Sequence, residues 1–116
     1  MDESQKEFLT ILGYFFLQNN KAEKALIIFR ALQELFPDDP YLMKAGSYAC
    51  LVNGEHEDAL HLAERWLREG PVDRMNEIGY LLKSKALWGL GRENEARETL
   101  NQFFHMREHP GEVEPQ

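Results

Sequence analysis

Several things are scarce in this chain of 116 residues, and each scarcity narrows what it does. There is one cysteine, Cys50. No internal disulfide forms, and a reducing compartment suits the chain. Cations are outnumbered: 13 Lys and Arg stand against 20 Asp and Glu, a net charge of −7. The cations are scattered rather than gathered into the basic face that tracks phosphates, which argues against nucleic acid. An anionic membrane surface is disfavoured for the same reason. The longest uncharged stretch, Phe8 to Asn20, falls short of the ~20 residues of a membrane span. The opening Met1-Asp2-Glu3 is acidic where a secretory signal is basic. The expectation is a soluble, cytoplasmic protein with no direct membrane insertion. Strand signals are also missing: no segment alternates strictly, and no hairpin dipeptide joins β-branched runs. Nor is there a glycine-rich loop to cradle a phosphate.

What remains is globular and helical. Hydrophobic residues make up 43% and charged residues 28%, a composition that buries one core rather than staying disordered. Ser4-x-x-Glu7 reads as a capping box opening a first helix, with Phe8, Leu9, Ile11, Leu12, Phe15 and Phe16 at helical spacing. Asn19-Asn20 ends it. A second helix spans about Lys21 to Leu35, with Ala25, Ile28, Phe29 and Leu32 on one stripe, and Pro37 stops it. Asp39-Pro40 supplies an N-cap and a first-turn proline for the third helix, which ends at Asn53-Gly54. The fourth spans about His56 to Arg68 before Gly70-Pro71. Asp73 is placed to cap a fifth running to about Leu90, and Gly91 precedes a sixth from about Glu93 to Met106. From Arg107 the chain is polar, with Pro110 and Pro115. It reads as a flexible tail over 107–116.

The six helices repeat in pairs. Small residues recur at Gly13, Ser47 and Ser84 in the first helix of each pair, and alanines at Ala25, Ala59 and Ala96 in the second. Both series step by 34 and then 37. The pattern resembles the tetratricopeptide repeat, a helix–turn–helix unit of 34 residues. Leu9, Leu12, Gly13, Phe16, Ala25, Phe29, Leu32 and Pro37 fit its signature places. The second repeat departs at Gly46 and has Ala63 and Trp66 where the first has Phe29 and Leu32; Trp66 is expected to restore the bulk lost at Ala63. The third departs with Lys83 and with Glu108 for the closing proline. Three extra residues enter near Gly70 to Asn76. The resemblance implies an all-α fold of three tandem repeats, at about 6–39, 40–73 and 77–110, forming a curved array within one domain over 1–106.

In that family the first helix of each pair lines the concave side. The groove-facing places carry Tyr14 and Leu17, then Tyr41, Lys44, Tyr48, Leu51 and Val52, then Ile78, Leu81, Lys85 and Trp88. Most are apolar or aromatic, which marks a partner-binding groove; with three repeats, some could instead close the core. The first helix is apolar almost all round, so Phe8, Ile11 and Phe15 suggest a second interface. Phe104, beside Phe103 and Met106, does the same at the other end. Both ends look unfinished, so the isolated chain is expected to dimerise, aggregate or be unstable.

Catalytic chemistry is not indicated, and the chain reads as no enzyme and without a cofactor. His105 and His109 share a helical spacing, but no further ligand completes a metal site. His56 and His61 diverge. Cys50 occupies a core place and reads as a packed hydrophobe. Glu93, Glu95, Arg97 and Glu98 read as solvated surface.

The first forty residues carry a narrower resemblance. Lys6-Glu7-Phe8-Leu9, Gly13, Leu17-Gln18, Ala22-Glu23, Ala25, Ala31-Leu32, Leu35 and Pro37, with looser support from Trp66 and Ala96-Arg97, resemble the YscY-type (SctY) chaperones of bacterial type III secretion. These are small, acidic, cytoplasmic tetratricopeptide-repeat proteins associated with virulence. The resemblance implies a chaperone that binds a small secreted partner, the X component, as a heterodimer, keeps it soluble and helps present it to the export gate. Translocator chaperones, needle-subunit chaperones and a generic repeat scaffold are the alternatives.

Overall fold

Helix after helix forms where the sequence offers an apolar stripe and a stop. The computed structural model describes residues 1–70 and 76–109. It contains α1 (Glu3–Gln18), α2 (Ala22–Leu35), α3 (Pro40–Val52), α4 (His56–Glu69), α5 (Asn76–Gly89) and α6 (Glu93–Glu108). No strand occurs among the described residues. The expected cap of the fifth helix at Asp73, together with Pro71, Pro110 and Pro115, lies outside them.

Two ends differ from expectation. The capping box of α1 is not Ser4 and Glu7. Asp2 is the N-cap: its side chain accepts from the Gln5 N–H at 2.8 Å, and the Gln5 side chain accepts from the Asp2 N–H at 3.0 Å. The box starts two residues earlier because a carboxylate caps as well as a hydroxyl and adds charge at the positive helix end. At the other terminus α6 continues through Arg107 to Glu108, two residues past the expected stop at Met106. At α3 Asp39 caps as expected, accepting from the Tyr41 N–H at 2.9 Å, with Pro40 in the first turn.

The pairs repeat in detail. Within each, the turn places one residue in the left-handed region: Asn20 (φ 61°), Gly54 (φ 78°) and Gly91 (φ 79°). The next residue's N–H closes back on the first helix: Lys21 to the Phe16 carbonyl (2.8 Å), Glu55 to that of Cys50 (2.8 Å), Arg92 to that of Leu87 (3.0 Å). These positions step by 34 and 37, like the small residues.

The small residues let the helices of a pair approach. A Cβ on Gly13 would lie 2.6 Å from Phe29 Cζ. In the other two pairs a serine hydroxyl donates across the same gap, Ser47 to the Ala59 carbonyl (2.8 Å) and Ser84 to the Ala96 carbonyl (3.0 Å). Ala25, Ala59 and Ala96 are buried. Between pairs, Gln33 of α2 reaches over Gly46 to donate to the Leu42 carbonyl (2.9 Å). A side chain at 46 would occupy the space of that amide, which explains the missing large residue. Trp66 is buried and fills the joint beyond Ala63, its ring against Gly79 of α5. The result is all-α: three helix–turn–helix pairs, each packed on the next, with Phe29, Leu32, Leu42, Cys50 and Leu87 at the centre of a continuous core.

Candidate partner-binding groove

The groove is built by the first helices of the three pairs. A cavity of about 320 Å³ opens between α1, α3 and α5, lined by Tyr14, Leu17, Gln18, Lys44, Tyr48, Ile78 and Leu82. A volume of this size suits a few large side chains or a short apolar segment. Its wall is apolar and aromatic, and Lys44 is its single charged group among the described residues.

The aromatic part is ordered by ring contacts. Tyr14 meets Phe29 of the core edge-on (centroids 5.5 Å apart) and Tyr41 likewise (6.2 Å). Lys44 Nζ lies 4.9 Å from the Tyr41 ring centroid, so its charge stands over an aromatic face. Burial pushes the Tyr14 phenol pKa up, and the Tyr41 hydroxyl adds to the shift. Tyr14 therefore stays a neutral hydroxyl across the physiological range. Tyr48 stands half out of the wall, 46% exposed, which leaves a rigid aromatic face for a ligand.

Of the residues expected in the groove, Tyr14, Leu17, Lys44, Tyr48 and Ile78 come together around the cavity. Tyr41 adjoins it through Tyr14 and Lys44 without lining it. Leu51, Val52, Leu81, Lys85 and Trp88 do not line it. Val52 and Trp88 are exposed, Leu51 and Leu81 half-buried, and Lys85 is in solvent. The cavity runs from the last turns of α1 across the middle of α3 to the first turns of α5, whereas Val52 and Trp88 fall at the carboxyl ends of α3 and α5. Two wall residues went unread, Gln18 and Leu82. Each lies four residues beyond one that was read, Tyr14 and Ile78, and so on the same helical face.

A second apolar surface lies on the side of α1 turned away from α2. Gly13 faces α2, and Phe8, Ile11 and Phe15 point away from it, 63%, 62% and 54% exposed. Among the described residues nothing covers this stripe. At the other end Phe103 is buried, with its ring 5.5 Å from that of the exposed Phe104.

Cys50 is buried, and burial pushes its thiol up to about 11, so it stays protonated and packs as an apolar group. The rings of His105 and His109 lie 4.5 Å apart. No group of three or more His, Cys, Asp or Glu gathers as a metal site among the described residues. No helix among them is long and apolar enough to cross a membrane. Ion pairs tie the pairs together along the outer faces: Arg30 of α2 to Glu55 (2.7 Å) and Asp58 (2.9 Å), Arg65 of α4 to Asp38 (3.1 Å), and Lys83 of α5 to Glu64 (3.5 Å).

No protein-family model matches the chain, and no curated protein matches it.

Proposed function

We propose that this protein is a non-enzymatic binding module of the tetratricopeptide-repeat kind, which captures an amphipathic segment of a partner protein in the groove between α1, α3 and α5. The observation that carries the reading is the groove itself: Tyr14, Leu17, Tyr48, Ile78 and Leu82 around one cavity, with Lys44 as its only charge among the described residues. An apolar helix face laid there would bury aromatic anchors that carry much of an interface's energy. An acidic residue at its edge would meet Lys44. The resemblance of the first forty residues to YscY-type chaperones gives the partner a class. It is a small secreted type III component, held soluble in the bacterial cytoplasm and presented to the export gate.

Affinity purification of the tagged chain from its host, with mass spectrometry of what accompanies it, tests the class; Tyr48→Ala tests the groove. The expected result is a small secreted protein bound in equimolar amount and weakened about 30-fold by Tyr48→Ala, the effect of losing about 2 kcal/mol at an aromatic anchor. Trp88→Ala, outside the cavity wall, should weaken it less. Unchanged binding by Tyr48→Ala overturns the groove. A translocator or needle subunit as the bound protein overturns the narrower class and leaves the groove standing.

A further inference from the structure

The groove leaves the outer stripe of α1 without a role, and the order of residues along that stripe says what covers it. From the amino end it reads Ser4, Phe8, Ile11, Phe15, Asn19. Polarity and spacing are nearly the same in both directions about a point between Ile11 and Leu12. Such a stripe complements itself when two copies of the helix lie antiparallel, which is the isologous contact of a two-fold dimer. In that register Phe8 meets Phe15 of the second copy, Ile11 lies beside the axis, and Ser4 meets Asn19. Charge agrees. The acidic first turn, with Glu3 exposed, falls opposite exposed Lys21 just beyond the other copy's helix end, and antiparallel helices also oppose their dipoles favourably. A parallel pair would set acidic turn against acidic turn.

We propose that two copies of this chain associate through antiparallel contact of their α1 helices on the Phe8–Ile11–Phe15 stripe. The three side chains are more than half exposed in each copy. With the flanking turns, two such stripes cover about 1,000 Å², the lower bound for a specific interface. The dimer is accordingly weak and concentration-dependent. None of its three side chains lines the groove, so it does not rest on the proposed function.

Sedimentation of the full-length chain tests it. The wild type is expected to be dimeric at about 100 μM and to dissociate on dilution, as a small interface requires. The Phe8→Glu/Phe15→Glu variant is expected to stay monomeric throughout with an unchanged far-ultraviolet circular dichroism spectrum, because both side chains already face water in the single chain. The register is read by cross-linking. Ile11→Cys should form a disulfide-linked dimer on mild oxidation, whereas Phe8→Cys should not unless Phe15→Cys is also present. Glu3→Lys should weaken the dimer several-fold, and adding Lys21→Glu should restore it. A wild type that is monomeric at all concentrations, a dimer that survives Phe8→Glu/Phe15→Glu, or cross-linking through Phe8→Cys alone overturns the proposal. So does a monomer that uses this stripe only to hold a different protein.

Discussion

Gly13 sets the scale of what one atom can do here. A Cβ at that position would sit 2.6 Å from Cζ and 3.0 Å from Cε1 and Cε2 of Phe29, and Phe29 is wholly buried, so its ring has nowhere to retreat. Gly13→Ala, which elsewhere in a helix stabilises, should here destabilise by about 1–3 kcal/mol through overpacking. Gly13→Leu should cost more. Urea unfolding followed by circular dichroism reads both. The equivalent Ser47 and Ser84 are buried with their Cβ in place, and their hydroxyls donate to the Ala59 and Ala96 carbonyls. The sequence shows that these positions are small. It does not show the hydrogen bonds, because a serine's partner is fixed only when the second helix is laid against it. Leu82 is a similar case. Read as one leucine among several in α5, it becomes a wall of the groove only once α1 and α3 stand beside it.

At the scale of the helix, most boundaries were legible because they rest on local chemistry: Asp39-Pro40 to start α3, Asn53-Gly54 to end it, Gly91 before α6. The start of α1 differs from the pattern's expectation because Ser4 and Glu7 carry the spacing of a capping box, while Asp2 and Gln5 carry it too and make the reciprocal hydrogen bonds. The joint between α1 and α3 depends on an ion pair across 33 residues that no local pattern announces. Lys6 Nζ donates to Asp39 Oδ2 at 2.5 Å, with the ammonium 4.4 Å from the Phe36 ring centroid. Burial pushes the Asp39 carboxyl up, but the hydrogen bond and charge of Lys6, with the Tyr41 and Leu42 N–H groups, hold it below its ordinary value of 3.8. The same hydrogen bond, outweighing burial, raises Lys6 above 10.5. A carboxyl lowered by folding stabilises fully above its unfolded value and loses that contribution as pH falls through the folded one; a raised amine stabilises fully below its unfolded value. The pair should therefore contribute evenly from about pH 5 to 9 and fade below pH 3.8. Asp39→Asn keeps a capping side chain and removes the charge. It should cost about 1 kcal/mol at neutral pH, a difference that shrinks in acid unfolding series below pH 3.8.

Across the whole molecule, stability passes from pair to pair, because in a stack each unit is held mainly by its neighbours. Trp66 is the chief link at the second joint. Among the described residues, its buried ring meets Gly79 of α5, next to the segment where the spacing lengthens from 34 to 37. Removing that ring strips apolar contact from both sides at once and leaves a cavity, a loss of about 3–5 kcal/mol. The loss falls on the joint rather than within either pair, so cooperativity should suffer along with stability. The chain has two tryptophans, and Trp66→Ala leaves Trp88, on α5, as a reporter of the third pair alone. In the wild type, tryptophan fluorescence and circular dichroism should trace one urea transition. In Trp66→Ala, Trp88 fluorescence should change at lower urea than the helical signal, because α5 and α6 would open while the first two pairs, still joined through Gln33 and the Lys6–Asp39 pair, remain folded. Coincident transitions in the variant would mean that the polar links, Lys83 to Glu64 among them, hold the third pair without the tryptophan. The stack would then be a single cooperative unit.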